Sequence, residues 1–373
     1  MRIPSPARAS LLMLALAMAC DHSSSTAPVH GSAVSPSESA LDDAGRVTVM
    51  TRNMYLGADV NVVIRAILSP DLTDDLPALL ASVDVLSRTD FPRRAAALAD
   101  EIARARPHVV GLQEVDDVVI DIRPLRPLVS LSFLPLLRAE LAARGLNYTV
   151  AGDVTNFAVT PVPGVSVTDH DVILVDADRV AVGPSVIARR YAVNIGRIAP
   201  GVTIGRGWVQ IQATIDGNDM TIASTHLEAL GSSGLRTAQA RELMDSVSDA
   251  PLAIVLGDFN EEPGSPTHLA ITNAGFVDAW ESLHPLEPGF TCCHLPDLSN
   301  AEPSLTRRID YVFARGFGKA EHGIKGKVSL VGDQLNDRVA GALYPIWPSD
   351  HAGLVGRFRP GRAADTDALR ITP

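Results

Sequence analysis

An apolar run of strand length, Leu252-Ala253-Ile254-Val255-Leu256, drives straight into Gly257-Asp258-Phe259-Asn260. Side chains alternate along a strand, so Asp258 and Asn260 leave its end on the same side. A buried strand that stops in a carboxylate and a carboxamide places polar groups at the rim of a sheet, where binding and catalytic residues concentrate. The same ending also suits a plain strand cap or turn. Its meaning therefore depends on what the other strands deliver to the same place.

They repeat the pattern. Val47-Thr48-Val49-Met50-Thr51-Arg52 alternates and stops at Asn53, and His108 to Gln113 runs out into Glu114. Trp208 to Thr214, a turn at Gly217-Asn218 and Met220 to Leu227 make a hairpin signal that delivers His226, followed by Glu228. Thr306 to Phe313 reads as a strand with Asp310 inside it, and a buried unpaired carboxylate is costly, so Asp310 must face a partner. The last core strand, Ala352 to Phe358, is entered through Ser349-Asp350-His351.

Between these lie helical patterns. Leu56 to Arg88 reads as a helical excursion over the rim, either packing or a substrate wall, with Val60, Val63, Ile64 and Ile67 on one apolar face and Leu79, Leu80 and Val83 on another. Thr89 or Asp90 caps the next helix, with Pro92 early and Ala95, Leu98 and Ile102 inward. Leu136 to Arg144 and Leu235 to Ser248 are also helical, as is a short segment after Pro266. Tyr148 to Ala151 and Asp171 to Val175 read as strands, with His170 and Asp171 at a solvated turn, and Phe276 to Trp280 as surface strand or loop.

At 373 residues with 46% of them apolar, the chain can bury a large core. Arg2 and Arg8 precede the apolar run Leu11 to Met18, which ends in Ala17-Met18-Ala19-Cys20; residues 1–20 read as a secretory signal peptide of lipoprotein type. Residues 21–45, rich in Ser, Pro and Ala, read as a tether, residues 46–359 as one domain and 360–373 as a polar tail. The expected location is the bacterial envelope through a lipid anchor at Cys20, or a secreted or periplasmic form if cleavage follows Ala19. The net charge of −11 argues against non-specific grip on nucleic acid and suits divalent cations. For the adjacent Cys292 and Cys293 a thiol pair, a disulfide and a metal contact all remain open.

The delivered set is hard oxygen ligands plus two imidazoles. Oxygen ligands suit Mg²⁺, with Mn²⁺ as substitute, and imidazoles act as base or proton donor near neutral pH. In order, Thr51-Arg52-Asn53, Leu112-Gln113-Glu114, Ser224-Thr225-His226, Gly257-Asp258-Phe259-Asn260, Arg308-Ile309-Asp310-Tyr311 and Ser349-Asp350-His351 resemble the endonuclease/exonuclease/phosphatase superfamily over residues 46 to 358.

The resemblance implies a four-layer α/β sandwich, two mostly antiparallel sheets face to face with helices outside and a site at one end. It implies a Mg²⁺-dependent phosphoesterase, with Glu114, Asn53 and Asp350 at the metal and Asp258 and Asn260 handling the attacking water. His351, oriented by Asp310, would be general base or phosphate-binding imidazole, and His226 would stabilise the transition state or protonate the leaving group. Nuclease-like hydrolysis ranks first, ahead of a lipid-headgroup such as sphingomyelin and a sugar or inositol phosphate, so the expected partners are nucleic acid or phospholipid. A surface binding protein that has lost catalysis is the rival of a different class. The family's usual phosphate-contacting strand end is replaced by Asp169-His170-Asp171, which leaves the roles of His170 and Asp171 open.

Overall fold

The computed structural model describes residues 45–71, 73–199, 201–318 and 323–361. The expected signal peptide, nearly all of the tether and nearly all of the tail lie outside the described residues. In chain order the first elements are β1 (Val47–Asn53), α1 (Val60–Leu68), α2 (Asp75–Arg88), α3 (Phe91–Ala105), β2 (Val109–Gln113), β3 (Asp117–Ile120), β4 (Val129–Ser132) and α4 (Phe133–Ala143). The middle of the chain adds β5 (Tyr148–Val159), β6 (Val165–Asp176), β7 (Val180–Arg190), β8 (Gly196–Ala199), β9 (Val202–Ile204), β10 (Gly207–Ile215), β11 (Asn218–His226) and α5 (Ser233–Ser246). The remainder is β12 (Ala253–Asp258), α6 (Pro266–Asn273), β13 (Val277–Asp278), α7 (Ala279–Leu283), β14 (Asp310–Arg315), β15 (Gly326–Val331), β16 (Val339–Ala340), β17 (Pro345–Ile346) and β18 (Gly353–Phe358).

Two large sheets result. One has the order β15-β18-β1-β2-β6-β3-β4 with β5 also on β6; the other runs β13-β14-β12-β11-β10-β7. Most pairs are antiparallel, with β1–β2 and β11–β12 parallel. Each central strand is apolar on both faces, and that is why each sheet is covered twice. Val49, Val109 and Ile173 of the first sheet meet Val209, Ile222, Ile254 and Val312 of the second in the central core. On the first sheet's outer face Met50, Leu112 and Leu174 pack under Leu98 and Ile102 of α3 and Leu137 and Leu141 of α4. Ala223, Val255 and Phe313 do the same under Leu243 and Met244 of α5 and Ile271 of α6. The layers are therefore α/β/β/α, as expected.

Two glycines make the site end possible. A Cβ on Gly111 would fall 1.9 Å from Leu256 Cδ1 of the facing sheet. Gly257 has φ +147°, and a Cβ there would meet the Thr225 carbonyl oxygen at 1.9 Å, so no L side chain fits where β12 turns beside β11. Close to this point Thr51 Oγ1 donates to Gln113 Oε1 (3.1 Å) and Gln113 Nε2 donates to Ser224 Oγ (3.0 Å), which joins the sheets by buried hydrogen bonds.

Several local expectations are corrected. His170 and Asp171 lie inside β6, and Asp171 is fully buried rather than in a solvated turn. β5 and β6 form a long hairpin whose solvent-facing polar positions disguise its length. Asp310 opens β14 instead of sitting within a strand. Phe276 and Trp280 are buried. The β10–β11 turn is Asp216-Gly217, both with positive φ, not Gly217-Asn218. Asp90 takes a left-handed conformation without a side-chain cap, while Thr89 Oγ1 donates to the carbonyls of Gly57 and Leu86.

Candidate active site

Topology brings the strand ends together. β1 and β2 are parallel, so Asn53 and Glu114 leave side by side; β11 and β12 are parallel, so His226 pairs with Asp258. β14 runs antiparallel to β12, which sets its first residue, Asp310, opposite the last residue of β12, Asp258. β18 is antiparallel to β1, and its entry segment Ser349-Asp350-His351 arrives next to Asn53, whose carbonyl accepts from Ser349 Oγ (2.9 Å).

Asp258 is at the centre. Its Oδ1 accepts from the Asn260 N–H (2.8 Å), and its Oδ2 accepts from Asn53 Nδ2 (3.3 Å). The same Asn53 amide donates to Glu114 Oε1 (2.9 Å), while Asn53 Oδ1 accepts from the Tyr55 N–H (2.9 Å). The Leu56 N–H donates to Glu114 Oε2 (3.0 Å). Glu114 and Asn260 have φ values of +53° and +51°. Both strands thus turn through the left-handed region to aim these side chains, a costly conformation for Glu114 that surrounding contacts must hold. Burial pushes Asp258 up to about 7, with Asp310 reinforcing it and His351 opposing it.

His351 Nδ1 lies 2.8 Å from Asp310 Oδ2, and its Nε2 lies 3.9 Å from both Asp258 Oδ2 and Asp350 Oδ1. Burial disfavours its charged form, but the carboxylates of Asp310, Asp350 and Asp258 outweigh that and raise its pKa well above the usual histidine value. Asp350 is itself pushed to about 7 by burial, against the pull of His351 and with Glu114 adding to the rise. The backbone here is clamped by Arg52, which donates to the His351 carbonyl and makes a bidentate pair with Glu101 (2.9 and 3.0 Å).

His226 is set differently. Arg206 Nη1 donates to His226 Nδ1 (3.0 Å), which fixes the neutral tautomer with its proton on Nε2. That nitrogen lies 3.5 Å from Asp258 Oδ2, while Asn260 Nδ2 beside it donates to the Leu227 carbonyl (3.0 Å). Burial, then Arg206 and His351, hold the His226 pKa well below normal, so the ring is neutral near pH 7. The His226 N–H donates to Asp171 Oδ2 (2.9 Å), and Asp169 pairs with Arg206 at 3.5 Å.

One cavity of about 440 Å³ exposes Glu114, Arg206, His226, Asp258, Asn260, Asp350 and His351 together. Ligand atoms of Asp258, Asp310 and His351 lie within 4.8 Å of one another, and Asp310 Oδ1 is buried without a hydrogen-bond partner. Glu114 raises the pKa of both Asp258 and Asp350, the sign of crowded negative charge. A hard divalent cation fits this donor set, since carboxylate oxygens dominate it and the excess charge is what a cation offsets. The vicinal Cys292 and Cys293 line the same cavity, and the backbone of Cys292 forms β-bridges to both Arg307 and His351.

All eight residues singled out from sequence thus meet at one rim. Arg206 and the Arg52–Glu101 clamp were not legible as site residues, and the role left open for Asp171 is to accept from the His226 N–H. Arg206 sits in a glycine-rich turn with no motif around it, and Asp171 acts through a partner 55 residues away.

The sequence profile of the Endonuclease/Exonuclease/phosphatase family matches residues 81–351. Among solved structures, the endonuclease/exonuclease/phosphatase from Beutenbergia cavernae DSM 12333 is 22% identical, over 85% of this chain and 72% of that one, with a TM-score of 0.53. A mannosyl-6-phosphatase from Bacteroides thetaiotaomicron VPI-5482 is 18% identical over 84% and 99%, and a family protein from Bacteroides thetaiotaomicron is 17% identical over 84% and 94%, each with a TM-score of 0.52. At such identities the likeness speaks to the fold. No curated protein sequence matches the chain. The match of the profile across most of the chain, on a sandwich whose strand ends converge in this way, makes the chain a member of the endonuclease/exonuclease/phosphatase family and a phosphoric ester hydrolase.

Proposed function

We propose that this site hydrolyses a phosphodiester or phosphomonoester by in-line attack of water on phosphorus, with Mg²⁺ as the metal and Mn²⁺ as its substitute. The observation that supports it most is the convergence of Asp258, Asn260, His226 and His351 on one cavity beside Glu114 and Asp350. Glu114 and Asp350 would hold the metal, with Asn53 positioning Glu114, and a bound divalent ion supplies positive charge against the phosphate oxygens.

The chain's own groups divide the remaining work. Asp258, poised near neutrality, takes the proton of the water as its oxygen bonds to phosphorus. Asn260 holds that water in line. Protonated His351, kept in place by Asp310, and the neutral Nε2–H of His226 donate to phosphate oxygens as charge builds on them. The bond from phosphorus to the leaving oxygen breaks on the far side.

Hydrolysis of bis(p-nitrophenyl) phosphate tests this. Turnover with Mg²⁺ or Mn²⁺ is expected, abolished by EDTA and restored by excess metal; turnover indifferent to EDTA would overturn the metal assignment. We further infer export and lipid attachment at Cys20 from the pattern of residues 1–20. The mass of the mature N-terminus checks it: an acylated Cys20 is expected, and an unmodified start at Cys20 or Asp21 rules it out.

A further inference from the structure

We propose that the cavity beyond the phosphoester site binds a hydrocarbon chain attached to the phosphate, so that the substrate is a phosphate ester of an amphiphile. This rests on the phosphoesterase reading above and narrows it. The cavity is continuous from the polar rim into a chamber walled by Ile64 and Ile67 of α1, Val83 of α2, Phe157 of β5 and Val202 and Ile204 of β9.

These walls belong to two separate apolar clusters. Leu79, Val83 and Leu86 of α2 pack on Val118, Ile120 and Val165, whereas Ile67 joins Phe157, Val159, Val202 and Ile204. Native interiors leave few voids larger than a water molecule, and an apolar wall gives water no partners. Rim and chamber together enclose about 440 Å³, the size of a ligand site, and the chamber's share of the walls is apolar.

Charge narrows the occupant. Asp59, Asp116, Asp169 and Glu228 join the rim carboxylates along this cavity. Its two arginines among the described lining residues are both paired, Arg206 with Asp169 at 3.5 Å and Arg307 with Glu262 at 3.0 Å. A polyanion such as nucleic acid needs several available cations along its path. A single phosphate followed by an uncharged chain needs them only at the head.

Alkyl p-nitrophenyl phosphate diesters from methyl to octyl, assayed as monomers with Mg²⁺, provide the test. In each, water oxygen bonds to phosphorus and p-nitrophenol leaves. Expected is a rise in kcat/KM of roughly two- to fourfold per methylene, and a fall of about tenfold or more in the octyl-to-methyl ratio in Ile64→Asp and Ile67→Lys. Calorimetry with octyl phosphate and methyl phosphate gives a second reading independent of turnover, with octyl phosphate expected to bind at least tenfold more tightly. Presenting the octyl diester in phosphatidylcholine vesicles separates sources. A chain-length gain confined to monomers assigns a soluble amphiphile, and one retained in vesicles assigns a membrane lipid; both support the chamber. Turnover of the methyl diester with no gain along the series would overturn the chamber and leave the phosphoesterase reading standing. Equal binding of the two alkyl phosphates, or a higher kcat/KM on supercoiled DNA than on the octyl diester, would also overturn it. Absence of turnover on every ester would instead sink the phosphoesterase reading, and the calorimetry would still decide the chamber.

Discussion

His351→Ala lowers kcat on bis(p-nitrophenyl) phosphate by about 10²–10⁴-fold, the usual contribution of a positioned proton-bearing group. The size follows from its place: His351 Nε2 is 3.9 Å from Asp258 Oδ2 and lines the same cavity, so its loss removes a donor at the point where charge develops. Asp310→Asn is the companion variant. Asp310 acts through His351 Nδ1 at 2.8 Å, which makes it a positioning residue. Its replacement should lower kcat by about 10²-fold or more while KM moves less than threefold, with the roughly 10⁴-fold loss seen when a triad carboxylate is neutralised as the upper end. A merely structural role for Asp310 would instead lower the unfolding midpoint and leave kcat of the folded fraction unchanged.

Arg52→Met should cost about 3–5 kcal/mol of stability, read from urea unfolding, because it strands Glu101 as an unpaired charge in the core. Both side chains are 1% exposed, so solvent cannot compensate. The double variant Arg52→Met, Glu101→Leu should recover most of that loss, since replacing a buried pair by apolar groups is often neutral. Recovery of activity should be incomplete, because the His351 carbonyl still lacks the Arg52 donor. A double variant as unstable as the single one would show that the pair itself, and not the stranded charge, matters.

Much of the site was legible because apolar strands that end in polar residues are local in sequence. Asn53, Glu114, His226, Asp258, Asn260, Asp350 and His351 each announce themselves at the end of an apolar run or just before one. Asp310 was recognised by cost, as a carboxylate amid apolar neighbours, although it starts β14 rather than interrupting it. What stayed hidden depends on non-local pairing. The β5–β6 hairpin places Asp171 within reach of the His226 N–H, and nothing in the alternation of Val165 to Asp176 says which polar side chains turn inward. Arg206 is likewise meaningful only once β10 lies beside β11. The segment from Leu56 to Arg88 reads as packing or as a substrate wall: Leu79, Val83 and Leu86 pack on the first sheet's far end, and together with Val63, Ile64 and Ile67 they line the cavity, so the substrate-wall reading stands or falls with the chamber proposed above.

The most direct measurement on the whole assignment is turnover of bis(p-nitrophenyl) phosphate across a Mg²⁺ titration, in the wild type and in Glu114→Gln. Groups that merely hydrogen-bond a metal's ligands already shift metal affinity by about 10–100-fold, so loss of a direct carboxylate ligand should move the half-saturating Mg²⁺ concentration by about 100-fold or more and lower kcat with it. Two superimposable titration curves would contradict a metal-assisted phosphoester site built on Glu114.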